Sequence, residues 1–305
     1  MALKAELQRD LKGLIETLHF KESGGVITDL DGTALHEDQG KIFIPKTVEL
    51  GYKRLLDLGR PFVLNTLRFP QSVLRTFGRD WYRVSNAPIP TVTLNGSLLG
   101  YVTQDQGGEM SFQEIAGYPL SHQEIDQTLD GVEGLLENGL KEILVFYYPR
   151  DWRVGEVIWT PVADEVMAVK AKYVSASSIT AVEIGKLRDQ LHAEEICMIF
   201  LLLNIAKEKL MAYQHTRRDN FVTHANVDKL FGAQRMAEFL KFDLAASIGA
   251  GDTELDRFLA GVGLAVLVGN LPLPFRGMAA TIRLADSSEL GELLFEVADL
   301  IAGVN

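Results

Sequence analysis

Two carboxylates one residue apart, Asp29 and Asp31, end the run Gly25-Val26-Ile27-Thr28-Asp29-Leu30-Asp31-Gly32-Thr33. The β-branched, apolar residues before them predict a buried strand, and Gly32 predicts a sharp turn after it, so the acids emerge at a strand end. On a strand the two side chains point the same way. Adjacent carboxylates repel, and they stay ionised together only if a hard divalent cation sits between them; otherwise a proton is shared. The pattern asks for a metal. A strand end followed by an Asp-Gly hairpin turn is the plainer reading of the same residues.

Val26 to Thr33 resembles the first motif, hhhDxDGT, of the haloacid dehalogenase-like phosphatase superfamily. The resemblance implies that Asp29 attacks phosphorus to form an aspartyl phosphate. It implies that Asp31 protonates the leaving group and then activates water, while its backbone carbonyl joins a Mg²⁺ shell with Asp29. An acid at the second position favours phosphate transfer over dehalogenation. The chemistry is sound on general grounds: a carboxylate and a phosphate dianion repel, so a bridging cation must remove the repulsion.

Further motifs of that family follow in order. Pro61 to Thr66 reads as a second buried strand, and the resemblance makes Thr66 a phosphate-binding hydroxyl with Arg68 close behind it. Leu67 stands where the Cof-like branch usually has Gly. Thr91 to Leu94 is a third strand, and Asn95-Gly96 is a strong hairpin dipeptide; in the family this Asn often faces the substrate. Val227-Asp228-Lys229 opens a helix running to about Leu240, and Lys229 matches the lysine that neutralises nucleophile and phosphate. His224, just before it, reads as structural. Gly251-Asp252-Thr253-Glu254-Leu255-Asp256 resembles the fourth motif, GDxxND, which makes Asp252 and Asp256 metal ligands at a helix start. Leu255 replaces the Asn there, a contact for which Glu254 is the candidate substitute. Gly261-Val262-Gly263 lacks the third glycine of a dinucleotide loop.

The elements that must position these residues imply an α/β fold: a doubly wound parallel-sheet, Rossmann-like core with ligands at strand carboxyl ends, and an inserted α+β cap. The expected division is core 1–97, cap 98–221 and core 222–305. Within the insertion, strands are expected at Glu142 to Tyr148, Glu156 to Thr160 and Glu195 to Asn204, with helices near 119–138, 163–172 and 179–192. Its length and place resemble the type-two cap of Cof-like and sugar-phosphate phosphatases, which selects the substrate. Arg150, Trp152, Arg153 and Trp159 group bases and aromatics there, as sugar or phosphate sites do, although a polar loop beside a half-buried strand is the reading these residues favour. Segment 34–45 matches a small flap, Val48 to Leu58 a helix capped by Gly59, and Ser287 to Ile301 a closing amphipathic helix. Leu3, Leu7, Leu11, Leu14, Ile15 and Leu18 describe a further amphipathic helix over 2–20, which packs on its own domain or forms a homodimer surface.

Composition bounds the function classes. The 305 residues allow two ordinary domains, and 47% apolar residues fill real cores. A formal charge of −11 without a basic tract argues against a nucleic-acid partner. The single cysteine, Cys197, excludes an internal disulfide and reads as a buried thiol. The longest apolar run, Ile196 to Leu203, is far short of the ~20 residues that span a bilayer, and no signal peptide is visible. The expectation is a soluble, cytoplasmic protein, its Asn95-Gly96-Ser97 sequon unglycosylated. The resemblance implies Mg²⁺-dependent hydrolysis of a small phosphate monoester, most readily a sugar phosphate. A phosphomutase resembling phosphomannomutase is the alternative enzyme, and a phosphate-ligand or partner-binding protein without turnover is the alternative class.

Overall fold

The strand that ends at the paired acids lies near the middle of a sheet. A computed structural model describes residues 5–38, 41–139, 141–203 and 221–303. In chain order the strands are β1 (Val26–Thr28), β2 (His36–Asp38), β3 (Lys41–Phe43), β4 (Phe62–Asn65), β5 (Ile89–Thr93), β6 (Leu98–Gln104) and β7 (Met110–Gly117), then β8 (Ile143–Pro149), β9 (Val157–Trp159), β10 (Ser178–Thr180), β11 (Ile196–Leu203), β12 (Phe221–Val222), β13 (Ile248–Gly251), β14 (Leu264–Val268) and β15 (Ala280–Leu284). The larger sheet runs β15-β14-β13-β1-β4-β5-β6-β7. From β15 to β5 every pairing is parallel, and β6 and β7 continue it antiparallel.

Both faces of this sheet are covered, which is why its central strands are apolar without alternation. Val26, Leu64, Ile248 and Val266 face the cluster that contains Val48 and Leu55 of the helix Lys46–Asp57 and Leu290 and Leu294 of the helix Ser287–Ala302. Ile27, Val63, Val92 and Ala265 face the opposite cluster, with Ala233 and Met236 of the helix Lys229–Leu240. The N-terminal helix, Ala5–Thr17, sends Leu11 and Ile15 into the first cluster, so this part of it packs on its own core. Leu3 lies outside the described residues. Strands β2 and β3 pair antiparallel within the segment expected to be a small flap. No described helix is long and apolar enough to cross a membrane.

The second sheet, β10-β9-β8-β11-β12, is α+β in build. Side chains alternate along β8: Val145 and Tyr147 pack under the helices His122–Glu137 and Ile184–Ala193, while Phe146 and Tyr148 turn to the cluster shared with the core. A register shift between Ile196 and Met198 moves β11 from one phase to the other, putting Cys197 beside Met198 on the core-facing side.

Three expectations are corrected. The boundary at 98 falls inside the larger sheet, because β6 and β7 pair with β5, so the insertion by hydrogen bonding begins after Gly117. Its end falls after Val222, since β12 still pairs with β11. The helix expected over 179–192 begins at Ile184, and Ser178–Thr180 pairs with β9 instead, as its β-branched residues allow. Strand β15 was not foreseen; as an edge strand it is half-exposed and carries no apolar run.

Candidate active site

Residues from three strand ends and one helix start lie beyond the carboxyl edge of the larger sheet. Because β1 lies between β13 and β4, the residues that follow them, Asp29, Asp252 and Thr66, are neighbours. The Asp29 N–H donates to Ala250 O at 2.9 Å and the Thr66 N–H to Val92 O at 2.9 Å, which continues the ladder one residue past each strand. Leu35 N–H then closes the turn onto Leu30 O at 2.8 Å. Gly32 makes that turn possible: its φ is +76°, and a Cβ there would lie 2.1 Å from Asp252 Oδ2. Thr33, fully buried, donates its hydroxyl to Asp252 Oδ1 at 2.9 Å.

Lys229 arrives from the other side. Asp228 caps its helix by accepting from Phe231 N at 2.9 Å, and its second oxygen accepts from Arg257 at 2.8 Å. Asn65, the last residue of β4, donates to Lys229 O at 2.8 Å and ties the helix start to the sheet. The Asn95-Gly96 turn packs against this cap: Gly96 has φ +96°, and a Cβ there would be 2.1 Å from Asp228 O. Asn95 is nearly buried, with φ +56°.

The Lys229 side chain is 1% exposed and its Nζ donates to Asp29 Oδ1 and Asp256 Oδ1, each at 2.7 Å. Asp256, fully buried, also accepts from the N–H groups of Asp252 and Thr253 at 2.9 Å through Oδ2. Asp256 therefore holds the loop of Asp252 and the lysine in place. It precedes only a short 3₁₀ turn, Arg257–Ala260, so the expected helix start with two acids four residues apart is a buried loop instead. Leu255 is packed in the core, and Glu254 points to solvent and takes no part.

Oxygens of Asp29, Asp252 and Asp256 lie within 4.8 Å of one another. Three carboxylates and one ammonium would leave two negative charges in a site shielded from water. Burial pushes the Asp29 carboxyl well above its ordinary range, Lys229 pulls it down, and Asp256 and Asp252 raise it again. Burial and then Asp256 push Asp252 up to about 6. Burial alone would depress the Lys229 ammonium, but Asp256 and Asp29 outweigh it and hold it above its usual value. A hard divalent cation is what such an oxygen set fits: it removes the surplus charge and lets the carboxylates ionise.

The side chain of Asp31 stands apart from this group. It accepts from Arg68 Nε at 2.8 Å and Arg68 Nη2 at 2.6 Å, a two-bond pairing of acid and guanidinium. Arg68, expected on phosphate, is thus bound to the second acid, and its N–H donates to Thr66 Oγ1 at 3.1 Å. The basic and aromatic residues of the insertion are elsewhere. Trp159 is buried in the insertion core and donates to Val182 O, Arg150 bridges Glu114 and Glu195, and Arg153 lies over the Trp152 ring. His224 pairs with Glu124 at 2.9 Å, a structural contact. Sequence reasoning assigned no role to Thr33, Asn65 or Asp228; all three are polar residues inside or beside the motifs, which is the signal that could have found them.

Comparison with known proteins places the fold. No curated protein sequence matches. The structure is similar to that of BT1666 from Bacteroides thetaiotaomicron, analysed among phosphatases of the haloalkanoate superfamily, at a TM-score of 0.61 and 17% identity, covering 92% of this chain and 96% of that one. It is similar to BT4131, described as a subclass IIB sugar phosphatase, at 0.59 and 16%, covering 93% and 100%. TM0651 from Thermotoga maritima gives 0.59 and 17%, covering 93% and 98%. At these identities the likeness is one of fold. The sequence itself carries the family: residues 26–272 match the model of haloacid dehalogenase-like hydrolases, and the chain belongs to that family.

Proposed function

We propose that the protein is a Mg²⁺-dependent phosphatase that hydrolyses a small phosphate monoester, a sugar phosphate or phosphorylated sugar derivative, in the cytoplasm. The observation that carries this reading is the Asp29 carboxylate itself. It is 4% exposed, sits at a strand carboxyl end, accepts a bond from a buried lysine and has two further acids within reach. A buried acid with that company is costly for stability and useful for chemistry.

In the reaction, an Asp29 oxygen attacks phosphorus and the bond from phosphorus to the ester oxygen breaks. Asp31 gives its proton to that departing oxygen, which leaves as an alcohol. Water then attacks the phosphorus of the aspartyl phosphate as Asp31 takes one of its protons, the bond to Asp29 breaks, and inorganic phosphate leaves with the carboxylate restored. Lys229 holds Asp29 and offers positive charge to the phosphoryl oxygens, and Thr66 supplies a hydroxyl beside them. Asp29, Asp252 and the Asp31 backbone carbonyl would hold Mg²⁺, with Asp256 supporting them. The ion supplies charge neutralisation between nucleophile and phosphate. Arg68 orients Asp31 and, from there, reaches a bound phosphate. Positioning and electrostatics carry most of the rate in this chemistry.

The test is a phosphate-release screen over sugar phosphates and other monoesters with Mg²⁺, run in parallel with Asp29→Asn. Turnover that disappears in the variant supports the proposal. Release that persists in Asp29→Asn, or no release from any monoester by the intact protein, refutes it.

A further inference from the structure

Between the second sheet and the segment after β4 lies a cavity of about 300 Å³. Phe69, Tyr148, Tyr173, Phe200 and Phe221 form much of its wall, and Arg68 lines it too. That last residue fixes its place relative to the chemistry. Arg68 is bound to Asp31 through two hydrogen bonds, and Asp31 is the acid that protonates the departing oxygen. The alcohol part of the ester must therefore lie on the Asp31 side, and Arg68 is the residue that joins that side to the cavity wall.

The wall is not uniformly apolar. Glu156 lies in it, 6% exposed, accepting the Tyr148 hydroxyl at 2.8 Å and the Ser175 hydroxyl at 3.4 Å. Burial pushes its carboxyl up, and the two hydroxyls and the more distant Arg75 only partly oppose that. Tyr173 also lines the cavity, and its buried hydroxyl has no hydrogen-bond partner among the described residues. Buried polar groups are ordinarily paired, so an unpaired phenol in the same wall as a buried carboxylate held by two hydroxyls describes a site suited to a polar ligand.

The backbone is built to present Glu156. Gly155 has φ +77°, and a Cβ there would come within 2.6 Å of Ser177 Oγ and 2.8 Å of Gln71 Oε1. Gln71 in turn donates to Arg153 O at 2.5 Å, tying this turn to the core. Tyr148 packs on Phe69 with ring centroids 5.4 Å apart.

We propose that this cavity takes the alcohol part of the substrate, and that Glu156 and Tyr173 select a compact ring bearing hydroxyl or amino donors and reject one bearing a second anion. The proposal rests on the phosphatase reading above and narrows its substrate class. The aromatic faces pack on the apolar face of the ring, Glu156 accepts from its donors, and a second phosphate or a carboxylate meets a buried acid.

The experiment compares kcat/KM for glucose 6-phosphate, glucosamine 6-phosphate, 6-phosphogluconate and p-nitrophenyl phosphate in wild type, Glu156→Gln and Tyr173→Phe. Glu156→Gln keeps the shape and removes the charge. Wild type is expected to prefer the neutral or amino hexose over the carboxylated one, and Glu156→Gln to shrink that preference by about tenfold or more. p-Nitrophenyl phosphate, which lacks donors, should change by less than about threefold. Loss of the glucosamine preference alone identifies the amine as the donor; equal loss on both sugars identifies a hydroxyl. Tyr173→Phe should raise KM for the hexoses by a larger factor than for p-nitrophenyl phosphate, and it carries the test if Glu156→Gln does not fold. Equal treatment of neutral and carboxylated hexoses by wild type, or an unchanged ratio and unchanged hexose KM in the variants, overturns the proposal. If wild type hydrolyses nothing, the phosphatase reading fails separately. Calorimetry with glucose, glucosamine and gluconate then decides the cavity: binding of a neutral or amino sugar that Glu156→Gln abolishes upholds it, and no binding overturns it.

Discussion

Replacing Lys229 by Met removes an ammonium bonded to two buried acids while keeping most of its apolar stem. Two hydrogen bonds of 2.7 Å are lost, and Asp29, Asp252 and Asp256 remain within 4.8 Å of one another without a cation. At that separation and an effective dielectric of about 20, each carboxylate pair repels by about 3 kcal/mol. Some of this is relieved by protonation, so the sum of the pairs overstates the effect. Breaking a buried ion pair from one side typically costs about 3–5 kcal/mol, and Lys229→Met should fall in that range. The assay is urea unfolding followed by tryptophan fluorescence, in EDTA and again with millimolar Mg²⁺. The variant should lose stability in EDTA and regain a part of it with Mg²⁺, because the ion takes over the missing positive charge. A loss below about 1 kcal/mol in EDTA would refute the reasoning, since that is no more than one ordinary hydrogen bond.

Gly32→Ala should destabilise the protein by about 1–3 kcal/mol, because an L-residue is strained at this φ. It should also lower kcat/KM by about 100-fold, because the new methyl displaces Asp252; wild-type activity in this variant would contradict the assigned packing. Asp228→Ala should cost about 1 kcal/mol by unfolding measurements through loss of the helix cap, and more than that if the Arg257 contact also matters. Burial alone would raise Glu124, but His224, Ser121 and Ala225 outweigh it and bring it down to about 2. Its folded value is below the unfolded one near 4.5, so it stabilises above that pH and the contribution is lost as pH falls toward about 2. Glu124→Gln should therefore be less stable than wild type at pH 6 and equal to it near pH 2, and a gap that widens on acidification would show the sign to be wrong.

The sequence by itself determined the chemistry-bearing ends of the chain. Asp29 and Asp31 at a strand end, the hairpin at Asn95-Gly96 and the helix opening at Lys229 are local events, set by β-branched runs, glycine and capping residues within a few positions. Motif order then named Asp252 and Asp256. Other features depended on which strands become neighbours. The pattern of β6 and β7 would suit either sheet, and only the pairing with β5 assigns them to the core. That Arg68 binds Asp31, that Asp256 anchors a loop rather than opening a helix, and that Glu156 lines a cavity beside Arg68 are contacts between distant parts of the chain. A carboxylate has the same formula whether it meets lysine, arginine or water. Its role is decided by the partner that sheet order and helix packing bring within 3 Å, and that order is a property of the whole fold.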